Sequence, residues 1–356
     1  MTMGKVLMKG NEVIAEAAVH AGCKYFFGYP ITPQSELVAY MARRLPEVGG
    51  LFLQAESEVA AINMVYGAAG TGVRVMTSSS SPGFSLKQEG ISYLVGAELP
   101  ALIVNVVRGG PGLGNIQPAQ SDYFQVTKGG GHGDYHTPVL APSTLQEIID
   151  LTEAAFDIAD KYRTPVILLG DGMLGQMMEP VEFKELTERQ PEQKDWSTTG
   201  TRGDGRPRII TSLELNAEAL EKRNEHLQKK FALIKQNEVR YETYEIEDAD
   251  YMITAYGTAA RIAMNAINKA RMEGLKVGMI RPVTLWPFPE QPFIETRDSV
   301  KGYLSVEMSA GQMVEDVRLA VEGRAPVSFF GRTGGVVPTQ EEIYEQIIKL
   351  TGGVKV

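Results

Sequence analysis

Two carboxylates near the start of one helix are the first residues of this sequence that could do chemistry. Glu56 and Glu58 lie in the segment QAESEVAAINMVYGAAGTG, whose pattern predicts a helix from about Glu58 to Ala69. A carboxylate fixed at a helix start could hydrogen-bond a heterocycle nitrogen and tune its proton chemistry. The alanines and glycines that follow allow a flat ring or another backbone to approach closely. The structural alternative is that both acids only complement the helix dipole.

The segment GYPITPQSE predicts a second candidate site, where a strand ends and a helix begins. Thr32 is expected to cap this helix, with Pro33 as its first residue, where the missing N–H costs nothing. Such a turn directs free backbone N–H groups and the helix dipole at one point, which suits a substrate carboxylate. Caps of this kind are common without a ligand, so the residues alone favour an ordinary cap.

Arg108 ends an apolar run in the segment VNVVRGGPGLGNIQPAQSD and precedes a glycine-rich loop. The loop has no lysine of the kind that completes a phosphate-binding loop. Ligands of α/β proteins bind at the carboxyl ends of strands, where an arginine could hold a carboxylate with two hydrogen bonds. A structural ion pair at the strand end explains Arg108 equally well, so both interpretations stay open.

The tripeptide GDG occurs at Gly170 and at Gly203 and resembles the start of a motif that binds thiamine diphosphate with Mg²⁺. That motif also needs an asparagine further along, at the end of a strand. No asparagine follows Gly170 at a suitable distance, and Asn237, which follows Gly203, lies in a charged helical stretch. We therefore expect the diphosphate and the metal ion to bind elsewhere.

Cys23 is the only cysteine of the sequence. This chain can therefore form no internal disulfide bond and can supply no four-cysteine iron–sulfur cluster. His132 and His136 lie in the segment GGGHGDYH, where a metal site would need further ligands. We treat both as loop residues without an assigned function.

Composition and charge exclude several classes of function. Of 356 residues, 43% are hydrophobic and 22% are charged, which is typical of a globular chain of about two domains. The net charge of −9, with no basic runs, argues against a surface for nucleic acid or an anionic membrane. No apolar stretch approaches the roughly 18 residues that span a bilayer, and no signal-peptide core is visible, so we expect a cytoplasmic protein.

These candidate residues must be positioned by alternating strands and helices. The runs ALIVNVV and TPVILL lack polar alternation, which is typical of parallel strands covered on both faces. The sequence therefore predicts an α/β fold, with a doubly wound parallel sheet in residues 1–195. The charged segment 196–247 predicts a linker with a solvated helix, and residues 248–356 repeat the strand–helix pattern as a second, smaller α/β domain.

Several long motifs resemble, in order, those of the alpha-type subunits of 2-oxoacid:ferredoxin oxidoreductases. They are GYPITPQSE, QAESEVAAINMVYGAA, TSSSSPGFSLKQEG, VNVVRGGPGLGNIQPAQSDY, IRPVTLWPFP and VEMSAGQMVEDV. The resemblance covers nearly the whole chain. It implies that residues 1–195 form a thiamine diphosphate-binding domain of the pyrimidine type and that residues 248–356 form a transketolase C-terminal-like domain.

The resemblance also implies roles for particular residues. The glutamate of the SEVAA motif is Glu58, the threonine of YPITP is Thr32, and the arginine of VRGGPG is Arg108. Glu58 would hydrogen-bond the pyrimidine ring of thiamine diphosphate and favour the imino tautomer that removes the thiazolium C2 proton. Pro30 and Ile31 would lie beside the cofactor. Thr32 and Arg108 would orient the carboxylate of the 2-oxoacid for decarboxylation.

A heteromeric enzyme is implied as well. In this family a beta-type subunit binds the diphosphate and Mg²⁺ of thiamine diphosphate, a gamma-type subunit and a ferredoxin-like iron–sulfur subunit complete the complex, and ferredoxin accepts the electrons. The expected reaction is oxidative decarboxylation of a 2-oxoacid with coenzyme A, which gives an acyl-CoA, CO₂ and reduced ferredoxin. The chain would be active only together with its partners.

The expected substrate is a branched-chain 2-oxoacid, 3-methyl-2-oxobutanoate. Members of the family that act on 2-oxoglutarate carry a GGPSTG-like loop, where this chain has GGPGLG from Gly109. Three alternatives stay open: the alpha subunit of a 2-oxoglutarate enzyme, a non-catalytic assembly subunit, and an NAD-linked thiamine enzyme of the transketolase or dehydrogenase type. The presence of Thr32, Glu58 and Arg108 argues against the assembly subunit.

Overall fold

A seven-stranded sheet forms the larger layer of the protein, for which a computed structural model describes residues 4–186, 194–200, 203 and 205–352. Its strands are β2 (Tyr25–Gly28), β3 (Leu51–Gln54), β4 (Val75–Ser79), β5 (Ala101–Val107), β6 (Val139–Leu140), β7 (Pro165–Asp171) and β12 (Thr284–Trp286). They lie in the order β12-β6-β7-β5-β4-β2-β3, and all neighbours are parallel except β12 and β6. The parallel sheet confirms the predicted α/β fold class.

Eight helices connect and cover these strands. They are α1 (Gly10–His20), α2 (Ser35–Glu47), α3 (Glu58–Gly70), α4 (Ser81–Leu86), α5 (Gln88–Gly96), α6 (Tyr123–Thr127), α7 (Leu145–Tyr162) and α8 (Gly172–Gln176). Helices α1, α2 and α7 pack together in one group, and α3, α4 and α5 form another. Every residue of β5 is buried, because helices cover both faces of the sheet centre.

A five-stranded sheet organises the second half of the chain. Its strands are β9 (Tyr241–Tyr244), β10 (Tyr251–Thr254), β11 (Val277–Pro282), β13 (Gly302–Glu307) and β14 (Val327–Gly331), in the order β14-β13-β10-β11-β9. Only β9 runs antiparallel to its neighbour. The helices of this half are α10 (Gly257–Met272), α11 (Gln291–Thr296), α12 (Met313–Val321) and α13 (Gln340–Thr351).

Two further elements pack beside the first sheet: a two-stranded ribbon and a long helix. Strands β1 (Val6–Lys9) and β8 (Met178–Val181) pair antiparallel as a small ribbon. Helix α9 (Ala217–Asn237), which precedes the second sheet, is charged on most of its surface but buries Leu227, Phe231 and Ile234. One face of α9 is therefore packed rather than solvated.

Hydrogen bonds from the segment around α6 connect the two halves of the chain. The Gln120 side chain donates to the carbonyl oxygen of Tyr256 over 2.9 Å and accepts from the backbone N–H of Met308 over 2.9 Å. The hydroxyl group of Tyr123 donates to the Asp316 carboxylate over 2.6 Å, and both residues are buried. These contacts position the second half beside the carboxyl edge of the first sheet, where the candidate residues lie.

Candidate active site

The candidate residues meet at the carboxyl edge of the seven-stranded sheet. The loop of residues 29–34 follows β2, Glu58 begins the helix that follows β3, and Arg108 follows β5. Because β3, β2, β4 and β5 are parallel and adjacent, their carboxyl ends open at the same edge. Residues that are far apart in the sequence are therefore brought to one place.

Glu58 is a buried carboxylate without a hydrogen-bond partner among the residues that the structure describes. Its side chain belongs to the first residue of α3, and the residue is 7% exposed. Ser57 caps the helix by accepting a hydrogen bond from the N–H of Ala60 over 3.1 Å. Since the cap satisfies the helix start, the Glu58 carboxylate stays available to accept a hydrogen bond from a ligand.

Gly83 allows this carboxylate to lie deep in the site. A Cβ atom at Gly83 would stand 2.4 Å from Glu58 Oε1 and 2.4 Å from Ser79 Oγ. The Ser79 hydroxyl group is itself buried and has no hydrogen-bond partner in the described part of the chain. The Glu58 acceptor and this hydroxyl group therefore both lie against Gly83, so two polar groups without hydrogen-bond partners among the described residues are close together.

Thr32 does not cap helix α2, so that prediction was wrong. The helix begins at Ser35, with Gln34 at the cap position, and Thr32 and Pro33 lie in a turn closed by a hydrogen bond from Gln34 N–H to the Ile31 carbonyl over 3.1 Å. The Gln34 side chain is fully buried, where it accepts from the Ser78 hydroxyl over 2.6 Å. This contact with β4 fixes Gln34 and places the helix start two residues after Pro33.

The turn instead exposes its residues toward the carboxyl edge. Pro30 and Thr32 are exposed and Ile31 is half-buried. Among the described residues, none forms a hydrogen bond with the Thr32 hydroxyl group, whereas the Thr32 carbonyl oxygen accepts a hydrogen bond from Arg108. The structure therefore brings Thr32 and Arg108 together, as the sequence requires if both are to contact one substrate.

Arg108 holds two loops and keeps one donor unused. Its Nη1 donates to the Thr32 carbonyl over 2.8 Å, and its Nη2 donates to the Leu113 carbonyl over 3.0 Å. The Nε atom is buried and has no partner among the described residues. Because the described residues supply no carboxylate partner for this buried guanidinium group, its charge and its Nε–H are suited to bind an anion.

A buried polar network fixes the backbone of Arg108. The N–H of Arg108 donates to the Ser81 hydroxyl over 3.1 Å, and that hydroxyl donates to the Asp122 carboxylate over 2.7 Å. Asn105 also donates to Asp122, over 2.9 Å. Burial raises the pKa of the Asp122 carboxyl, although the hydrogen bonds from Asn105 and Ser81 oppose the shift.

The second half of the chain supports the glycine-rich loop that follows Arg108. The Asn115 side chain donates to the carbonyl oxygen of Gly334 over 2.8 Å. A Cβ atom at Gly109 would stand 3.2 Å from backbone atoms of Gly334 and Gly335, so the two loops touch through backbone. The same loop presents the exposed apolar side chains of Leu113 and Ile116.

The site contains residues that sequence reasoning did not single out. They are Ser79, Gly83, Lys87 and Asp122. The segment TSSSSPGFSLK could have indicated this part of the site. Serine and threonine are mostly exposed residues, so a run of them at the end of a buried strand indicates a polar site at that strand end. Lys87 is fully buried and follows this run directly.

The remaining motifs have structural surroundings of their own. Asp171, in the first GDG, caps α8 by accepting from the N–H groups of Met173 and Leu174, and the second GDG includes Asp204, which lies outside the described residues. The His136 ring stacks on Trp286 with 4.6 Å between centroids. The His132 backbone carbonyl accepts from Ser92.

Comparison with known proteins identifies long matches along the chain. Residues 16–245 match the family described as pyruvate flavodoxin/ferredoxin oxidoreductase, thiamine diphosphate-binding, and residues 249–343 match pyruvate:ferredoxin oxidoreductase core domain II. The chain is 51% identical to the ketoisovalerate oxidoreductase subunit VorB of Methanothermobacter thermautotrophicus, over 98% of this chain and 99% of that protein. It is 36% identical to the 2-oxoglutarate synthase subunit KorA of Methanothermobacter marburgensis, over 96% and 98% of the two chains.

Solved structures show the same likeness. The 2-oxoglutarate:ferredoxin oxidoreductase from Magnetococcus marinus, solved with 2-oxoglutarate, coenzyme A and succinyl-CoA bound, superposes with a TM-score of 0.88 at 28% identity. The match covers 98% of this chain and 65% of that one. A split-gene transketolase, with a TM-score of 0.60 at 14% identity, shares the fold alone. Within the described part of the chain, no helix is long and apolar enough to cross a membrane.

Proposed function

Because the chain belongs to the pyruvate flavodoxin/ferredoxin oxidoreductase family, as an alpha-type subunit of a 2-oxoacid:ferredoxin oxidoreductase, we propose that its carboxyl-edge site binds the pyrimidine ring of thiamine diphosphate and a branched-chain 2-oxoacid. The observation that carries this proposal is the buried Glu58 carboxylate, to which no residue that the structure describes donates a hydrogen bond. The substrate is proposed to be 3-methyl-2-oxobutanoate, which reacts with coenzyme A to give an acyl-CoA and CO₂ while two electrons pass to ferredoxin.

The residues of the site fit the pyrimidine ring of this cofactor. Glu58 offers an acceptor, the Ser79 hydroxyl group has no partner in the described part of the chain, and both lie against Gly83. The turn with Pro30 and Ile31 lies at the same edge and is proposed to contact the ring. When bound, thiamine diphosphate supplies the electron sink that decarboxylation of a 2-oxoacid requires.

The chemical task of Glu58 is to hold a proton at a ring nitrogen. A carboxylate in a dry site binds a protonated nitrogen much more strongly than it does in water. The first turn of α3 adds the positive end of the helix dipole beside the carboxylate. Glu58 is therefore proposed to set the protonation of the pyrimidine ring, and Arg108 is proposed to orient the substrate carboxylate with its free Nε–H.

The loop after Arg108 supports the choice of a branched-chain substrate. The Leu113 carbonyl is bound to Arg108, so the backbone of Leu113 lies beside the proposed carboxylate site, and its apolar side chain is exposed. Ile116 adds a second exposed apolar group to the same loop. An isopropyl group can bury surface against these side chains, whereas a second carboxylate, as in 2-oxoglutarate, would lose solvation there.

Partner subunits are proposed to supply the rest of the enzyme. Relatives of the chain are named as subunits, so it acts within a multi-subunit complex. A beta-type subunit is proposed to bind the diphosphate and Mg²⁺, and gamma-type and ferredoxin-like subunits to complete the path to ferredoxin. The single cysteine of this chain supports separate cluster-bearing subunits. A cytoplasmic location stays a prediction.

The domain limits are likewise proposed, as 1–195, 196–247 and 248–356. The two sheets and the two family matches, 16–245 and 249–343, support a division near residue 247. Strand β12 crosses this division, because it pairs with β6 of the first sheet. The second domain is therefore expected to unfold together with the first.

Substrate choice can be measured on the co-purified complex. We expect coenzyme A-dependent reduction of viologen or ferredoxin with 3-methyl-2-oxobutanoate, and a kcat/KM at least roughly tenfold higher than with 2-oxoglutarate, because one apolar contact already discriminates by about this factor. Pyruvate and an aryl 2-oxoacid complete the comparison. Preference for 2-oxoglutarate would keep the family and overturn the branched-chain proposal, and reduction with none of the four would favour an assembly subunit.

Gly83→Ala tests whether the reaction depends on the buried position of the Glu58 carboxylate. The new methyl group would meet Glu58 Oε1 and Ser79 Oγ at 2.4 Å, so the carboxylate must move. We expect the rate of 2-oxoacid oxidation to fall by roughly tenfold or more, while the unfolding midpoint changes little, since only side-chain ends are displaced. Gly67→Ala is the matched control, because Gly67 is also helical and its Cβ would meet nothing within 4 Å. Equal activity of both variants would contradict the proposed position of the pyrimidine ring.

A further inference from the structure

Lys87 is a buried lysine beside the proposed cofactor site. It lies at the junction of α4 and α5 and is completely shielded from solvent. Its Nζ atom donates one hydrogen bond, to the hydroxyl group of Thr77 on β4, over 3.0 Å. An ammonium group in the interior with only one neutral partner is costly, so a charge nearby must offset part of that cost.

The charge that acts on Lys87 is the carboxylate of Glu58. Burial lowers the pKa of Lys87 to about 8, and Glu58 opposes this shift. No other charged group among the described residues contributes to it. The neighbouring side chains on β4, Thr77, Ser78 and Ser79, are uncharged, and Ser78 is bound to the uncharged Gln34.

Packing alone does not account for a lysine at this position. A methionine side chain has a similar length and fills a buried space without the loss of hydration of an ammonium group. Thr77, which accepts the Lys87 hydrogen bond, and Ser79, whose hydroxyl group lies against Gly83 together with Glu58 Oε1, are two residues apart on β4 and therefore point to the same face of the strand. The Lys87 ammonium group and the Glu58 carboxylate, which has no hydrogen bond from the described residues, thus lie on the same side of the sheet. Among the described residues, Glu58 is the only charged group that acts on Lys87, whose one hydrogen bond goes to the uncharged Thr77.

We propose that Lys87 is a positioning residue for the reaction, which acts through Glu58 by placing a positive charge that favours the ionised form of its buried carboxylate, so that this carboxylate can accept a hydrogen bond from the protonated pyrimidine ring. The inference deepens the proposed function and rests on it for the identity of the ring. The pairing of Lys87 with Glu58 itself depends only on the protein.

The sign of the effect follows from electrostatics. Removal of a buried positive charge favours the protonated form of every acid beside it. Without the ammonium group, the Glu58 carboxylate therefore takes up a proton at a higher pH. A proton that must leave the site during the reaction is then also released only at a higher pH. Both effects have the same direction wherever the proton resides, on Glu58 or on the ring.

Infrared titration of the intact complex, freed of thiamine diphosphate, provides a test that does not use activity. The carbonyl stretch of a protonated carboxyl group is followed with pH, and spectra of the corresponding Glu58→Gln complex are subtracted to isolate Glu58. In Lys87→Met we expect the protonation midpoint of this band to lie higher by about one pH unit or more than in the unaltered complex. Lys87→Gln, which can keep the Thr77 hydrogen bond, serves as a second neutral variant and should show the same shift.

Kinetics give the second measurement. The acidic limb of kcat/KM for the 2-oxoacid should move to higher pH in Lys87→Met, and Lys87→Arg, which keeps the charge, should restore it toward its original position. A purely structural role predicts the opposite order, with methionine tolerated better than the bulkier arginine. In a Glu58→Gln background, Lys87→Met should have no further effect on thiamine diphosphate affinity.

The outcomes separate this inference from the proposed function. Coincident infrared titrations of the unaltered complex and both neutral variants would overturn the role of Lys87, even if the complex oxidises a 2-oxoacid. A shifted titration supports the Lys87–Glu58 pair whatever the substrate. A complex that shows the shift but binds no thiamine diphosphate would overturn the proposed function and leave the charge pairing in place.

Discussion

Glu58→Gln is expected to reduce oxidation of the 2-oxoacid by roughly 10²–10⁴-fold, the range that a positioned acid–base group contributes. Glutamine has nearly the same shape but can neither carry the charge nor take up the proton. Because no described residue donates a hydrogen bond to the Glu58 carboxylate, the substitution breaks no hydrogen bond within the described part of the chain. It also removes the carboxylate that acts on the buried ammonium group of Lys87, so we expect some loss of stability, which release of the Lys87 proton limits.

The measurement compares kcat/KM, thiamine diphosphate affinity and the unfolding midpoint of the variant complex. Glu56→Gln is the matched control, because Glu56 lies two residues earlier, is exposed and changes the net charge by the same amount. We expect the control to keep full activity, and we expect both variants to co-purify with their partners. Undiminished turnover by Glu58→Gln would remove Glu58 from the chemistry, and a loss of assembly would point to a structural role.

Much of the fold could be predicted because parallel strands leave a strong local pattern. The runs ALIVNVV and TPVILL became β5 and β7, which pair along their full lengths from Ala101 with Pro165 to Val107 with Asp171. Their continuous apolar character reflects burial on both faces. Strand β12 could not be placed in this way, because its three residues join the first sheet through a contact with β6 from a distant part of the chain.

The helix start after β2 shows where local rules fail. Thr-Pro is a common start of a helix, and this pattern predicted Thr32 as the cap. The buried Gln34 instead binds Ser78, 44 residues away in the sequence, and the helix begins at Ser35. A long-range hydrogen bond of this kind has no local signature, so it decides the geometry without appearing in the sequence pattern.

The site residues divide in the same way. Glu58, Thr32 and Arg108 could be named from their motifs, and the structure brings Thr32 and Arg108 into contact. Gly83 and Lys87 could not be assigned, because their importance lies in what surrounds them: the Glu58 carboxylate over Gly83 and the absence of solvent around Lys87. The type of a residue shows whether its side chain can react. Burial in the folded structure decides which neighbouring groups control the protonation and position of that side chain.

Arg108→Ala is expected to raise the KM for the 2-oxoacid by about 10–100-fold, because a hydrogen bond to a charged group contributes about 1.5–3 kcal/mol. Thiamine diphosphate affinity should change much less, since the free Nε–H of Arg108 is proposed to face the substrate rather than the cofactor. Some loss of kcat is also expected, because Nη1 and Nη2 hold the carbonyls of Thr32 and Leu113 and thereby fix the two loops beside the site.

Two further variants separate the substrate contact from the loop contacts. Thr32→Ala keeps the carbonyl oxygen that Arg108 binds and removes only the hydroxyl group, so it should raise KM less than Arg108→Ala does. Arg108→Lys keeps the charge but loses the planar set of donors, and should retain part of the affinity for substrate while the loops loosen. If Arg108→Ala lowered kcat and left KM unchanged, the guanidinium group would act on the reaction through the loops alone, and the carboxylate of the substrate would have to be bound by another residue.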